Sequence, residues 1–319
     1  MIALLVLCAL TDSILSHDSH LTDRQPSTLI NSHNFHYLIN NPWLCHQDEQ
    51  SIGLLVWVHS TPKHARRRQA IRETWANQKH FSPPTGSMRV VFFIGAVNDD
   101  SLQNKLYYEN EVYSDLVQES YEDSYRNLTY KGMSALKWIT RYCRNTNLLL
   151  KIDDDMVVDM QALFLRLAKT IKYPEQAFVS TIVCALIPVG RPLRHKDSKW
   201  MVTEEEYPRN EYPPYCSGLA SLLSPDLIPK LWEISEKTKY FWLEDVFLTG
   251  LLTEQLESAP TWIQFDYYYH YGGTDVESCF RQHLDNPYYV FAHLSPYSFK
   301  LAYYLLDIHN KTENLPVDY

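Results

Sequence analysis

Leu148-Leu149-Leu150-Lys151-Ile152-Asp153-Asp154-Asp155-Met156-Val157-Val158 joins two apolar runs through three consecutive carboxylates. The first run reads as a buried strand, so the carboxylates stand at its mouth. Adjacent carboxylates repel one another, and a cluster of them there is costly unless a cation sits among them. In an extended backbone Asp153 and Asp155 point to one side and Asp154 to the other, which gives a pair able to face one metal ion. The competing reading is a solvated turn after a strand.

The flanking sequence weighs between these two. Upstream, Gly132 to Cys143 carries Met133, Leu136, Ile139 and Cys143 three and four apart, one face of a helix. Downstream, Leu163, Leu167 and Ile171 form another helical stripe. Leu54 to Val58, Val90 to Ile94 (closed by Gly95) and Ala177 to Val183 read as strands, and Arg67 to Ala76 and Leu227 to Lys237 as helices. Strands alternating with helices predict an α/β fold, a mostly parallel central sheet flanked by helices, with no internal repeat. Ligands of such sheets bind outside the carboxyl ends of the strands. The triplet lies at such an end, so topology and charge together favour a metal site.

The 319 residues, 45% hydrophobic and 21% charged, are ordinary globular material. A net charge of -9 argues against a nucleic-acid partner, and Lys63-His64-Ala65-Arg66-Arg67-Arg68 is too short for a groove-tracking surface. The apolar run from Met1 to Leu10 suits a signal peptide or short signal anchor (residues 1–16) better than a span of about 20 residues. Residues 17–50 are polar and aperiodic, a stem or linker; 51–309 form the folded domain and 310–319 a tail. The sequons at Asn127 and Asn310 point to glycosylation and a lumenal fate. Cys8 lies in the leader. Cys45, Cys143, Cys184, Cys216 and Cys279 contain no Cys-x-x-Cys pair, which disfavours structural zinc and fits one or two disulfides with one thiol left over.

Four further segments carry chemistry. Arg67-Arg68-Gln69-Ala70-Ile71-Arg72-Glu73-Thr74-Trp75 puts Arg68 and Arg72 on one face near a helix start, where guanidinium groups could hold a diphosphate; a solvated helix is the alternative. Glu244-Asp245-Val246-Phe247 is a second pair of carboxylates, which in isolation reads as a helix cap. Tyr212-Pro213-Pro214-Tyr215-Cys216-Ser217-Gly218 is a rigid aromatic loop with a glycine where a ligand could approach the backbone. The last runs from Asp123 to Lys131, Asp-Ser-Tyr-Arg-Asn-Leu-Thr-Tyr-Lys.

In this order, from about Ile52 to Leu305, the segments resemble the inverting β-1,3-galactosyltransferase and β-1,3-N-acetylglucosaminyltransferase family, with the Fringe enzymes as more distant relatives. The resemblance implies a GT-A-like nucleotide-sugar transferase fold and a Mn2+ ion bridging the donor diphosphate. It also implies a Golgi membrane enzyme with a lumenal catalytic domain, or a secreted one if the leader is cleaved. Carried residue by residue, Asp155 is the metal's carboxylate ligand, and His293, in Tyr-Val-Phe-Ala-His-Leu, completes the metal site. Asp153 and Asp154 fall near the donor's ribose and sugar, with Arg68, Arg72, Asp123 and Lys131 also on the donor side. Asp245 falls on the catalytic base, and Tyr215, Gly218 and Glu244 on the substrate side. Two departures stand out. The loop after Tyr215 reads Ser217-Gly218-Leu219-Ala220-Ser221, without the further glycine and aromatic of many relatives, and Leu251 and Leu252 stand near a usual cysteine, which leaves Cys279 without its usual partner.

The chemistry agrees. Displacement at an anomeric carbon needs a base for the acceptor hydroxyl and, opposite it, a cation for the leaving diphosphate. Nothing marks the nucleophile that a covalent intermediate would need. The expectation is a metal-dependent hexosyltransferase that moves galactose or N-acetylglucosamine from a UDP-sugar to a glycan of a glycoprotein or glycolipid. The rivals are a metal-dependent phosphoesterase or nucleotide-sugar hydrolase, and a non-catalytic glycan-binding relative, which would have lost carboxylates that are intact here.

Overall fold

The apolar runs of the sequence lie side by side in an eight-stranded sheet. Its spatial order is β1 (Tyr37–Ile39), β4 (Leu116–Glu122), β3 (Ser87–Ala96), β2 (Ile52–His59), β5 (Leu149–Asp153), β8 (Tyr215–Leu223), β7 (Thr181–Ile187) and β9 (Thr261–Gln264). The computed structural model describes residues 29–46, 51–265, 267–269 and 290–293. From β4 through β3 and β2 to β5 all neighbours are parallel, while β8 runs antiparallel to both β5 and β7. The expected parallel sheet is therefore the half that ends in the acidic triplet. A second sheet sets β11 (Phe291–His293) between β10 (Tyr267–Tyr269) and β6 (Met156–Val158).

Alternate residues of the central strands enter two different cores. Leu54, Val56, Val58, Phe92, Ile94, Leu150 and Ile152 pack in one, and Leu55, Trp57, Val91, Phe93 and Leu149 in the other. Both faces are covered, so these strands read as unbroken apolar runs rather than as alternation. Helices α1 (Ala65–Glu73), α2 (Asp100–Tyr113) and α4 (Met160–Ile171) give Ile71, Leu106, Leu163 and Leu167 to the first core. Helices α3 (Leu128–Tyr142) and α5 (Leu227–Lys237) give Met133, Trp138 and Leu231 to the second. Gly132 of α3 lets that helix approach the π-helical turn Val246–Leu251, since a Cβ there would lie 2.6 Å from Leu248 Cδ1.

Three expectations are corrected. The strand foreseen at Ala177 begins at Thr181, because Ser180 takes a left-handed conformation (φ 44°) that interrupts an extended run. Only the start of the aromatic loop is a loop, for β8 begins at Tyr215. The supposed stem of residues 17–50 is, over residues 29–46, part of the folded body. β1 pairs antiparallel with β4, His33 Nε2 lies 2.5 Å from Glu119 Oε2, Lys137 closes the same buried charge cluster, and Cys45 is bonded to Cys143. The segment's polarity misled because its buried polar groups are partnered inside the protein.

A second disulfide, Cys184–Cys216, ties β7 to β8. Cys279, Asn310 and residues 1–28 lie outside the described residues, among which no helix is long and apolar enough to cross a membrane. Asn127 precedes α3, its amide donating back to Glu122 O at 2.9 Å, while the Thr129 hydroxyl of the same sequon is buried and donates to Phe241 O.

Candidate active site

β5 ends at Asp153, and Asp154 and Asp155 turn the chain into β6. Strand alternation therefore stops before Asp155, and the three carboxylates take three separate environments. Asp154 is buried and accepts from Ser60 Oγ at 2.7 Å, His64 Nδ1 at 2.8 Å and Arg67 Nη1 at 2.8 Å. Burial alone would raise its pKa, but the hydrogen bonds from His64, Ser60 and Arg67 outweigh it and hold the carboxyl below its usual range. Its oxygens are committed to the protein, and it locks the β2–α1 turn onto the end of β5.

Asp155 differs. Its Oδ2 lies 3.5 Å from both Arg67 Nη1 and His293 Nε2, while its Oδ1 is buried with no hydrogen-bond partner. His293 arrives from the far end of the chain because β11 pairs with β6, setting His293 opposite Met156. A buried, unpartnered carboxylate oxygen beside an imidazole is a donor set that a divalent cation would complete, so the residues present fit such an ion. Among the described residues no third histidine, cysteine or carboxylate converges on this point.

Asp153 leaves 37% of its side chain open. The burial of its surroundings, joined by Asp155, Glu244 and Asp154, raises its pKa well above the carboxylate range despite Lys151. His59 Nδ1 stands 3.9 Å from both Asp153 Oδ1 and Glu244 Oε1, linking the triplet to the second acidic centre. Burial, then Lys151 and Lys131, depress the His59 pKa well below its ordinary value, so this imidazole is neutral.

In the second centre, Glu244 is 7% exposed and its Oε1 lies 3.2 Å from Lys151 Nζ, which also donates to Gly218 O at 2.8 Å. Burial pushes the Glu244 pKa up to about 7, with Lys151 opposing and Asp245 adding to the rise. Asp245 begins the π-helical turn, its Oδ1 accepting from Val246 N–H at 2.8 Å. Its Oδ2 faces Gly218, where a Cβ would stand 3.6 Å away. Burial raises the Asp245 pKa, offset in part by Val246 N–H and Lys151. Tyr215 adjoins it, its phenol pushed up to about 12 by burial and by the Asp245 charge. Tyr215, Gly218, Glu244 and Asp245 are thus brought together as expected, although Gly218 belongs to a strand.

At the carboxyl ends of β2, β3 and β4 lies a cleft of ≈ 480 Å³, bordered by Thr61, Pro62, Ala96, Asp123, Tyr125 and Lys131. Asp123 accepts from Gly95 N–H at 2.7 Å and pairs with Lys131 at 3.0 Å, and Lys131 also donates to Ser60 O.

Arg68 and Arg72 do not serve this cleft. Arg68 is fully buried, with Nε and Nη2 on the Glu109 carboxylate at 2.7 and 2.6 Å and Nη1 on Ser60 Oγ and Thr61 O. Arg72 grips Asp115 through two hydrogen bonds of 2.7 Å, meets Glu109 at 2.8 Å, and lies over the rings of Phe92 and Tyr113. Buried guanidinium groups need internal counter-charges, and Glu109 of α2 and Asp115, just before β4, supply them. The arginine that reaches the acidic turn is Arg67, one residue earlier. Helix phase decides which arginine this is, and the sequence run Arg66-Arg67-Arg68 does not reveal it. Lys151 and His59 were missed as well; a lysine inside a buried strand was the available signal.

The family pattern described as Galactosyltransferase matches residues 66–261, a span holding α1, the acidic turn, β8 and the Glu244-Asp245 centre. Beta-1,3-galactosyltransferase 1 of Homo sapiens is 33% identical over 232 residues, covering 72% of this chain and 68% of that protein. Beta-1,3-galactosyltransferase 2 of Mus musculus is 31% identical over 255 residues, covering 80% of this chain and 59% of that protein. The solved galactosyltransferase LgtC, in complex with donor and acceptor sugar analogs, aligns over 83% of this chain and 97% of its own at 10% identity. Its TM-score of 0.39 is too low to bear on the fold. On the family match and the curated relatives, the chain belongs to the galactosyltransferase family and is a hexose-transferring glycosyltransferase.

Proposed function

We propose that the enzyme transfers galactose from UDP-galactose to a glycan hydroxyl with inversion, forming a β-1,3 linkage, and that it uses a divalent ion, Mn2+ by resemblance. The observation that carries this reading is the pair of separate acidic centres bridged by His59 and Lys151. One has an unpartnered oxygen beside an imidazole, the other a half-buried carboxylate against a glycine. The names of the relatives favour galactose over N-acetylglucosamine.

Asp245 is the acceptor-side base. Val246 N–H holds one oxygen and leaves the other beside Gly218, where an acceptor hydroxyl can approach. Burial makes the carboxylate more basic than a surface one, opposed in part by the Val246 N–H and the Lys151 charge. Asp155 and His293 would hold the ion, which when bound supplies positive charge to the departing diphosphate. The cleft over Asp123 and Lys131 has a volume suited to a nucleoside. Two disulfides support an oxidising compartment, and a Golgi lumenal setting is proposed with them.

The test is a panel of UDP-hexoses offered with glycan acceptors, with and without Mn2+, the product linkage being read by NMR. Expected is β-1,3 galactosyl transfer, abolished by chelation and in Asp155→Ala. Sugar release at the same rate without any acceptor would establish the hydrolase instead, and an unchanged Mn2+-dependent UDP affinity in Asp155→Ala would remove the metal assignment.

A further inference from the structure

Tyr125 and Trp200 are large aromatic residues left 48% and 46% exposed while in contact with each other. Trp200 Nε1 donates to the Tyr125 hydroxyl at 2.8 Å. The polar edge of each ring is thereby satisfied, and what remains open is apolar ring face. The Lys199 ammonium lies 4.4 Å from the Trp200 ring centroid and 5.8 Å from that of Tyr125.

The place of this pair matters as much as its exposure. Tyr125 borders the donor cleft next to Asp123, and its ring centroid is 6.2 Å from that of Trp242, three residues before Asp245. Its phenol is near enough to the reacting groups that, after burial and against the Trp200 hydrogen bond, the charges of Asp245 and Asp153 raise its pKa. Trp200 sits on a loop held in shape. The Arg194 guanidinium donates to Val202 O and Tyr207 O at 2.8 Å each, Val202 N–H donates to Leu193 O, and Trp200 N–H donates to Ser198 Oγ. Exposed rings on a braced loop lose little freedom when a ligand lies on them.

We propose that Trp200 and Tyr125 form the platform on which the terminal hexopyranose of the acceptor stacks its C–H face, presenting a hydroxyl to Asp245. The inference rests on Asp245 being the acceptor-side base. A pyranose is the occupant that suits both features, since one face of the ring is rich in C–H groups and its edge carries the hydroxyl that must be deprotonated. Lys199, its ammonium against both rings, favours the oxygen-rich rim of a sugar over an apolar side chain.

Saturation-transfer NMR on the full chain with UDP and Mn2+ tests this, using methyl β-galactoside, methyl β-N-acetylglucosaminide and a glycan-free serine/threonine peptide as probes. Ring C–H protons of one glycoside should saturate with the native enzyme, lose at least fivefold of that signal in Trp200→Ala, and recover most of it in Trp200→Phe. Calorimetric UDP affinity and the melting temperature of Trp200→Ala should match the native enzyme. Equal saturation in native and Trp200→Ala proteins, no glycoside saturation in either, or saturation of the peptide alone overturns the proposal. Failure of the base assignment shows separately, as transfer retained by Asp245→Asn.

Discussion

The two oxygens of Asp245 stand in two surroundings, one on the Val246 amide and one beside Gly218. Asp245→Asn should preserve the amide hydrogen bond, because asparagine caps as well as aspartate. Transfer in a single turnover should nonetheless fall by about a hundredfold to ten-thousandfold with UDP affinity unchanged, the usual loss when a general base is removed. Transfer near the native rate would move the role to Glu244. That neighbour carries its own signature. Its folded pKa, about 7, lies above the ordinary 4.5, so its contribution to stability is complete below about pH 4.5 and is lost as pH rises through about 7. Relative to Glu244→Gln, the native enzyme should therefore lose up to about 3 kcal/mol between those limits and change no further above them. Denaturant titrations of both proteins across that range read the difference, and parallel profiles would show that Glu244 titrates normally.

At the scale of elements, helix α1 divides its arginines between two tasks. Arg68→Ala should cost about 2–3 kcal/mol, because it removes two charged hydrogen bonds from the largely buried Glu109 and leaves that carboxylate to Arg72 alone, while the donor KM of the protein that folds stays native. Arg67→Ala should also cost stability, since it takes one of three partners from the buried Asp154, but unlike Arg68→Ala it should in addition shift the Mn2+-dependent UDP affinity. Urea melts beside calorimetry separate them, and a donor KM that moves with Arg68 would restore the role the sequence suggested. The acidic turn was legible because clustered carboxylates at the end of an apolar run are costly to keep without a counter-ion or a chemical task, whereas Glu244-Asp245, which alone reads as a helix cap, stood out only through the family resemblance. Helix α5 was legible to the residue from its apolar stripe. Helix α2 was not, since Leu106 is its one buried residue, and neither was β4, where Gln118 and Glu119 interrupt the apolar run. Those two are satisfied by Gln103, His33 and Lys137, partners distant enough that no local pattern announces them.

For the whole molecule, the Cys45–Cys143 bond closes a loop across 98 residues and fastens the N-terminal segment to the end of α3. Cys45→Ser with Cys143→Ser should lower stability by about 2–5 kcal/mol while leaving hexosyl transfer by the folded enzyme intact, since neither residue borders the cleft. Equilibrium unfolding and initial rates on the same preparation check both halves; lost activity in a folded double variant would tie this segment to the site. The two rims of the sheet are short, β1 having three residues and β9 four. Rims of that length give a stray strand from another molecule little to pair with. Lifting β1 away would uncover the seven residues of β4, five of them buried, as a ready ledge of unpaired amides and carbonyls. A chain begun at residue 47 should therefore do worse than melt early: it should stick to its own copies and come out of solution as aggregate before it unfolds, so the short N-terminal strand acts as the guard that keeps each enzyme molecule separate.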